Sequence, residues 1–386
     1  MNYIVNLKLE DELILKCART YIDNETKDEI IKLISNNIVN WDYIHKKSRN
    51  HSLRSIIYWQ LNQICPEIIP NEFMVPLKKH FDYNLRKNML MLVELQKIIK
   101  LLEFNKIVGL PYKGPVLALI AYNNLSIREF NDLDIYVDRK DILTLKRILI
   151  LNDYEIKLNF SPYIEAQYMQ SQREYKFFNK EKDILLEVHW NIPGISFSFP
   201  HESFFQVKKV IPLRINNFTF NSFSKEDLIL ILSIHAGGHL WQRLSWISDI
   251  NELIRHSNDL NWEIIIKKAR YLQVAKILCI NLFLANELFD LEIPSSMKNI
   301  IEEDDSINKI CADIIENIFS SKPPNIIKKI ILRYKIRENQ YLGLNDIWKI
   351  FTVPNTNEWK DFEKIGIKSF YYIIRRPIQI MKRLRE

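Results

Sequence analysis

The sequence predicts an α+β protein, a small mixed-sheet core flanked by N-terminal and C-terminal helical regions, and three observations predict it. Apolar residues recur at helical spacing from about residue 8 to 104 and again beyond about residue 224. Strand-like pieces are confined to the stretch between them. Only seven glycines occur in 386 residues, so little interrupts the helical runs.

The elements follow in order. Leu9, Leu13 and Cys17, and later Leu90, Leu92, Leu95, Ile98 and Leu102, mark helical faces in residues 1–104. Pro66, Pro70 and Pro76 cluster where one helix should end and another begin, because proline suits a first turn and not an interior. Residues 105–222 form the expected core. Ile107 to Tyr112 is a short apolar run, Pro115 to Tyr122 a helix, Leu133 to Val137 a strand, and Asp138 or Arg139 to Leu151 a helix. Tyr154 to Leu158, Tyr175 to Phe178 and Ile184 to Trp190 supply further strands, and Val207 to Phe220 a hairpin with Asn216-Asn217 at its turn. In residues 223–386, Ser224 and Asp227 resemble a capping box opening Leu228 to Leu240. Helical segments are expected at Trp246 to His256, Trp262 to Phe289 and Ile307 to Phe319, with a last basic helix near Ile365 to Arg385.

Composition excludes several classes. With 47% hydrophobic and 26% charged residues, the chain lies away from disordered, collagenous and disulfide-scaffold extremes. Glycine is too scarce for Walker or dinucleotide loops, and no such motif occurs. Cys17, Cys65, Cys279 and Cys311 lack C-x-x-C spacing and read as buried reduced thiols. No basic start leads into an apolar core as in a signal peptide, and no apolar run is long enough to span a membrane, so a cytoplasmic location is expected. The net charge of +7 favours an anionic ligand. It is small for this length and no basic stripe flanks the acids, which argues against a nucleic-acid polymerase or tRNA-end role.

Chemistry concentrates in Arg128-Glu129-Phe130-Asn131-Asp132-Leu133-Asp134. On a strand, Asp132 and Asp134 project from one face while Leu133 and Ile135 enter the core. Two carboxylates so placed repel unless a cation lies between them, and hard oxygen ligands suit Mg²⁺ completed by substrate phosphates; a strand end with two solvated acids is the plainer alternative. Lys113-Gly114-Pro115 lies at a strand-to-helix junction, where glycine lets backbone approach a phosphate. Glu187 is a charged residue inside an apolar strand, costly unless paired or metal-bound, and His189 shares its face. If that strand lies beside the Asp132 strand, three acids can hold two divalent ions about 3.5–4 Å apart.

In this order, Lys113-Gly114, helix, Arg128, Asp132-x-Asp134 and then Glu187 resemble the nucleotidyltransferase fold of polymerase-beta-like enzymes. More closely, the chain is similar to the bacterial family called uncharacterised nucleotidyltransferase. Tyr112 to Ala118, Ile127 to Val137, Leu185 to Trp190 and Ser233 to Ile250 carry the similarity, with Asn40-Trp41 and Arg54 to Leu61 before them. It spans roughly residues 35 to 290. The resemblance implies an enzyme moving an NMP group from NTP to an acceptor, with Mg²⁺ or Mn²⁺ on Asp132, Asp134 and Glu187, two-ion catalysis and pyrophosphate release. Lys113 and Gly114 would hold the β and γ phosphates. The wider superfamily has serine after the glycine, whereas Pro115 stands here and can donate nothing.

Several residues keep two readings. Arg128 reaches nucleotide phosphates or pairs with an acid to structure its loop. His235 and His239, four apart, face the cleft with Arg243, form a core pair, or ligate zinc, though no third ligand is near in sequence. The stretch from Lys364 to Glu386 holds seven Lys/Arg and one acid; it reads as a solvated helix face or a contact for an anionic membrane or nucleic acid. The acceptor, whether small molecule, peptide or protein, is open. The rival to the enzyme is an inactive nucleotide- or partner-binding module accessory to a biosynthetic or toxin system.

Overall fold

The computed structural model describes residues 7–158, 160–192, 197–199, 210–215, 218–320, 322, 324–354 and 358–359. The Asn216-Asn217 turn and the basic stretch from Lys364 lie outside the described residues.

Among the described residues, five α-helices precede the sheet: α1 (Leu9–Cys17), α2 (Asn24–Ser35), α3 (Trp41–Asn50), α4 (Arg54–Ile64) and α5 (Asn71–Phe104). Asp23 and Asn40 cap α2 and α3 by accepting from the Thr26 and Tyr43 amides. Pro66 opens a short 3-10 turn, Pro70 caps α5, and Pro76 lies inside it rather than at its start. Pro76 is exposed, so the carbonyl it leaves without an amide faces water.

The core runs β1 (Gly109–Pro111), α6 (Gly114–Tyr122), β2 (Asp132–Val137), α7 (Ile142–Leu151), β3 (Glu155–Ile156), α8 (Pro162–Ser171), β4 (Glu174–Asn179) and β5 (Ile184–His189). The strands form one mixed sheet in the order β1-β2-β5-β4-β3, in which only the β2–β5 pair is parallel. A separate hairpin joins β6 (Ile211–Ile215) to β7 (Phe218–Ser222). Helix α8 stands where sequence periodicity gives no helix; its Tyr168 stacks on Tyr175, with ring centroids 5.0 Å apart.

Side chains alternate as the pleat requires. Leu133, Ile135 and Val137 of β2, Leu186 and Val188 of β5, and Tyr175 and Phe177 of β4 enter one apolar core. Asp132, Asp134, Glu187, His189, Glu174 and Lys176 fall on the opposite face. The C-terminal helices are α9 (Lys225–Gly238), α10 (Leu244–Arg255), α11 (Trp262–Leu272), α12 (Ala275–Phe289), α13 (Ser295–Glu302), α14 (Asp305–Phe319), α15 (Ile326–Lys335) and α16 (Gln340–Thr352), and residues of α9, α10 and α16 line a cleft over that face. The expected single helix over Trp262 to Phe289 is two, because Gln273 takes a left-handed conformation with φ 55° and ends α11.

The described residues form two apolar cores. One gathers the N-terminal and C-terminal helices, the other the inner face of the sheet. Helix α5 joins them, with Phe73, Met74 and Leu77 in the first and Met91, Leu95, Ile98, Ile99 and Leu102 in the second. All four cysteines are free and buried. Among the described residues, no helix is long and apolar enough to cross a membrane.

Candidate active site at the junction of sheet and helices

Register places the acids. Asp134 lies opposite Glu187 across the parallel β2–β5 pair, and Lys176 and Glu174 lie opposite Glu187 and His189 across β4–β5. Asp134 is the hub. Its Oδ1 lies 3.1 Å from Lys113 Nζ and 3.1 Å from His189 Nε2. His189 Nδ1 lies 3.3 Å from Glu174 Oε2, and its Nε2 lies 3.6 Å from Glu187 Oε2. Lys176 donates to Glu187 and lies 3.1 Å from Glu174.

Electrostatics separates the carboxylates. Burial resists charge on Asp134, but the Lys113 ammonium and the His189 ring hold it well below the usual carboxylate range. Burial raises Asp132, and the neighbouring Asp134 charge adds to the rise. Glu187 is raised by burial, then by Glu174 and Asp134. Burial works against charge on His189, yet its bond to Asp134 and the nearby carboxylates raise its pKa. Lys113 is raised likewise, with Asp134, Asp132 and Glu187 outweighing desolvation.

Ligand atoms of Asp134, Glu187 and His189 all lie within 4.8 Å of one another, and among the described residues this is the one such group of three. Two carboxylates and an imidazole, with Asp132 on the same face, form a donor set that fits a divalent cation. Asp132 itself lies outside the tight group. His235 and His239 have no third ligand among the described residues.

Gly114 abuts this cluster. It starts α6 with φ +52°, and a Cβ there would meet the Asp132 backbone oxygen at 3.1 Å. Arg128 turns away from the acids of the sheet. Its Nε and Nη2 reach the two oxygens of Asp249 on α10 at 2.8 and 2.9 Å, and Tyr122 donates to Asp249 at 2.8 Å. Of the two readings of Arg128, the pairing one describes this geometry.

The loop before β2 is held from the N-terminal side. Asn84 and Asn88 of α5, one turn apart, both donate to the Arg128 carbonyl, at 3.1 and 2.9 Å. Glu129 accepts from Arg54 at 2.9 Å and from the Ser55 amide at 3.1 Å, and Lys87 donates to the Phe130 carbonyl. These partners, with Glu174 and Lys176, escape sequence reasoning. The signals present are polar residues four apart on an apolar helix and a charged pair two apart on a strand.

Sheet and helices enclose a cleft of about 1160 Å³. Asp132, Asp134, Glu187, His189, Lys113 and Gly114 line it, as do His235, His239 and Arg243. His235 and His239 rings lie 4.8 Å apart, and both pack on Trp246. Desolvation, then the Lys113 charge, push His235 well below the ordinary imidazole range, so it is neutral at physiological pH.

No curated protein matches the chain. Residues 37–290 match a family described as uncharacterised nucleotidyltransferase. That span takes in helices α3 to α12, both acid-bearing strands and the Arg128–Asp249 clasp, and by it the chain belongs to the uncharacterised nucleotidyltransferase family.

Proposed function

We propose that the protein transfers a nucleoside monophosphate group from an NTP to an acceptor hydroxyl, releasing pyrophosphate. The observation that carries this reading is the convergence of Asp132, Asp134, Glu187 and His189 with Lys113 and Gly114 at one end of a cleft of about 1160 Å³. Asp134 and Glu187, with Asp132 or His189, would hold Mg²⁺ or Mn²⁺, and such ions supply positive charge that neutralises and orients phosphate oxygens. Lys113 and the start of α6 hold the β and γ phosphates, Lys113 as a point charge in place of a serine donor. Glu187, raised in pKa, orients the acceptor hydroxyl and takes its proton as the oxygen bonds to the α-phosphorus. The bond from that phosphorus to the bridging oxygen breaks, and pyrophosphate leaves with the electron pair. The acceptor hydroxyl belongs to a small molecule, a peptide or a protein.

One observation favours a second reading, a binding module without turnover: Lys176 bridges Glu174 and Glu187, and Lys113 neutralises Asp134, so these acids have partners without an ion. The test is calorimetric titration of each NTP with and without Mg²⁺ into wild type and Asp132→Asn/Asp134→Asn, followed by a pyrophosphate-release screen of acceptors. Metal-dependent binding lost in the variant, with pyrophosphate release, supports the transferase. Binding without release across the acceptor panel supports the module, and full turnover by the variant rejects the site.

A further inference from the structure

The cleft has a second pole, built by different elements. Arg49 at the end of α3, Ser52 in the turn after it, and Gln242, Arg243 and Ser245 around the start of α10 all line it. Among the described residues, none of these five side chains has a hydrogen-bond or ion-pair partner in the protein. Arg243 meets only the Trp246 ring, at 5.5 Å, and Arg49 and Arg243 are exposed. Other cations of the same cleft are committed: Arg54 to Glu129, Arg128 to Asp249, Lys113 to Asp134, and Lys176 to Glu174 and Glu187. Lys87, a further cation of the cleft, donates to the Phe130 carbonyl and to Asn131, so among the described residues Arg49 and Arg243 are two lining cations whose side chains have no hydrogen-bond or ion-pair partner, with the neutral donors Ser52, Gln242 and Ser245 lining the same cleft.

The fold holds these groups together. His51, buried between them in sequence, accepts from the Leu244 amide through Nδ1 at 3.3 Å, which ties the Arg49–Ser52 turn to the start of α10. The Arg243 charge is close enough to lower the His51 pKa. Three non-glycine residues here adopt left-handed backbone, Ser52 with φ 56°, Leu240 with φ 53° and Trp241 with φ 49°. Each such residue is strained backbone that the surrounding structure must hold in place. Two unpaired guanidiniums that line one cleft offer forked donors that match an oxyanion.

We propose that this pole is a second oxyanion subsite, taking a phosphate or carboxylate group of a substrate whose reacting part lies at the acid pole. The proposal rests on the transferase reading only for what occupies that acid pole. The oxyanion has two sources, an anionic group on the acceptor or, where the nucleotide lies along the cleft with its terminal phosphate away from Lys113, that phosphate.

The experiment titrates inorganic phosphate at constant ionic strength into wild type and Arg49→Gln/Arg243→Gln, first alone and then saturated with a non-hydrolysable NTP analogue and Mg²⁺. Both side chains are exposed, so the variant should melt as wild type does; the two single variants serve if it does not. The subsite predicts that phosphate binds wild type and weakens by about tenfold or more in the variant, as loss of charge-assisted hydrogen bonds requires. Phosphate binding that persists on the analogue-loaded protein assigns the anion to the acceptor. Phosphate displaced by the analogue, with analogue affinity falling in the variant, assigns it to the nucleotide. Equal phosphate affinity in wild type and variant, or no phosphate binding to wild type, overturns the proposal. Failure of the analogue to bind wild type counts against the transferase reading instead and leaves the phosphate comparison intact.

Discussion

Arg128 and Asp249, 121 residues apart, form a two-pronged ion pair that locks the loop leading into β2 onto α10. Both side chains are largely buried, with Asp249 also accepting from Tyr122. Removing one member leaves the other charged and desolvated. Asp249→Ala should lower unfolding free energy by about 3–5 kcal/mol in urea titration. Equal stability of variant and wild type would show that the clasp is not a structural lock.

Gly114 is a backbone requirement. Its φ of +52° and the Asp132 oxygen 3.1 Å from an added Cβ both oppose a side chain. Gly114→Ala should cost about 1–2 kcal/mol from the left-handed conformation. It should also weaken metal-dependent nucleotide binding, because relief of the contact displaces the strand that carries Asp132. A variant that loses stability but binds nucleotide as wild type does would separate the two effects and reject the second.

Asp132 sets stability against function. It is raised in pKa by burial and by its like-charged neighbour Asp134, so its charge destabilises the metal-free fold. Asp132→Asn should therefore melt higher than wild type in chelator while losing on the order of 100-fold or more in pyrophosphate release. A variant that melts lower would mean Asp132 is already compensated.

His51 gives a pH signature remote from the acids. Burial, with the charges of Lys47 and Arg243, pushes it down to about 4, against an unfolded value of about 6.5. As pH falls from about 6.5 to 4, the unfolded chain takes a proton that the folded chain refuses, so stability declines across that window. The loss attributable to this residue is at most on the order of 3 kcal/mol. Stability curves of wild type and His51→Gln should converge toward pH 4 if the ring is responsible; parallel curves would exonerate it.

The acid face was legible because its determinants are local. Asp132 and Asp134 alternate with Leu133 and Ile135, and Glu187 and His189 alternate with Leu186 and Val188, so each strand announces its polar face. Which strand lies beside which was not legible, since pairing of β2 with β5 is a long-range choice made by the sheet. Glu174 and Lys176 were missed for that reason: their meaning comes from facing His189 and Glu187. Arg128 likewise kept two readings in sequence, because Asp249 is distant along the chain. Helix α8 starts at a proline among polar residues and buries only Tyr168 and Met169, too little for a clear apolar stripe. Gln273 ends α11 without a glycine, and a left-handed glutamine leaves no mark in composition.

Helix α5 runs for 34 residues, about 50 Å, and contributes side chains to both apolar cores while its polar edge grips the loop before β2. Fraying of either core must unwind or detach a rod that the other core holds. The helical and sheet regions are thereby coupled into a single cooperative unit, and heat should take the sheet and the N-terminal helices apart in one transition.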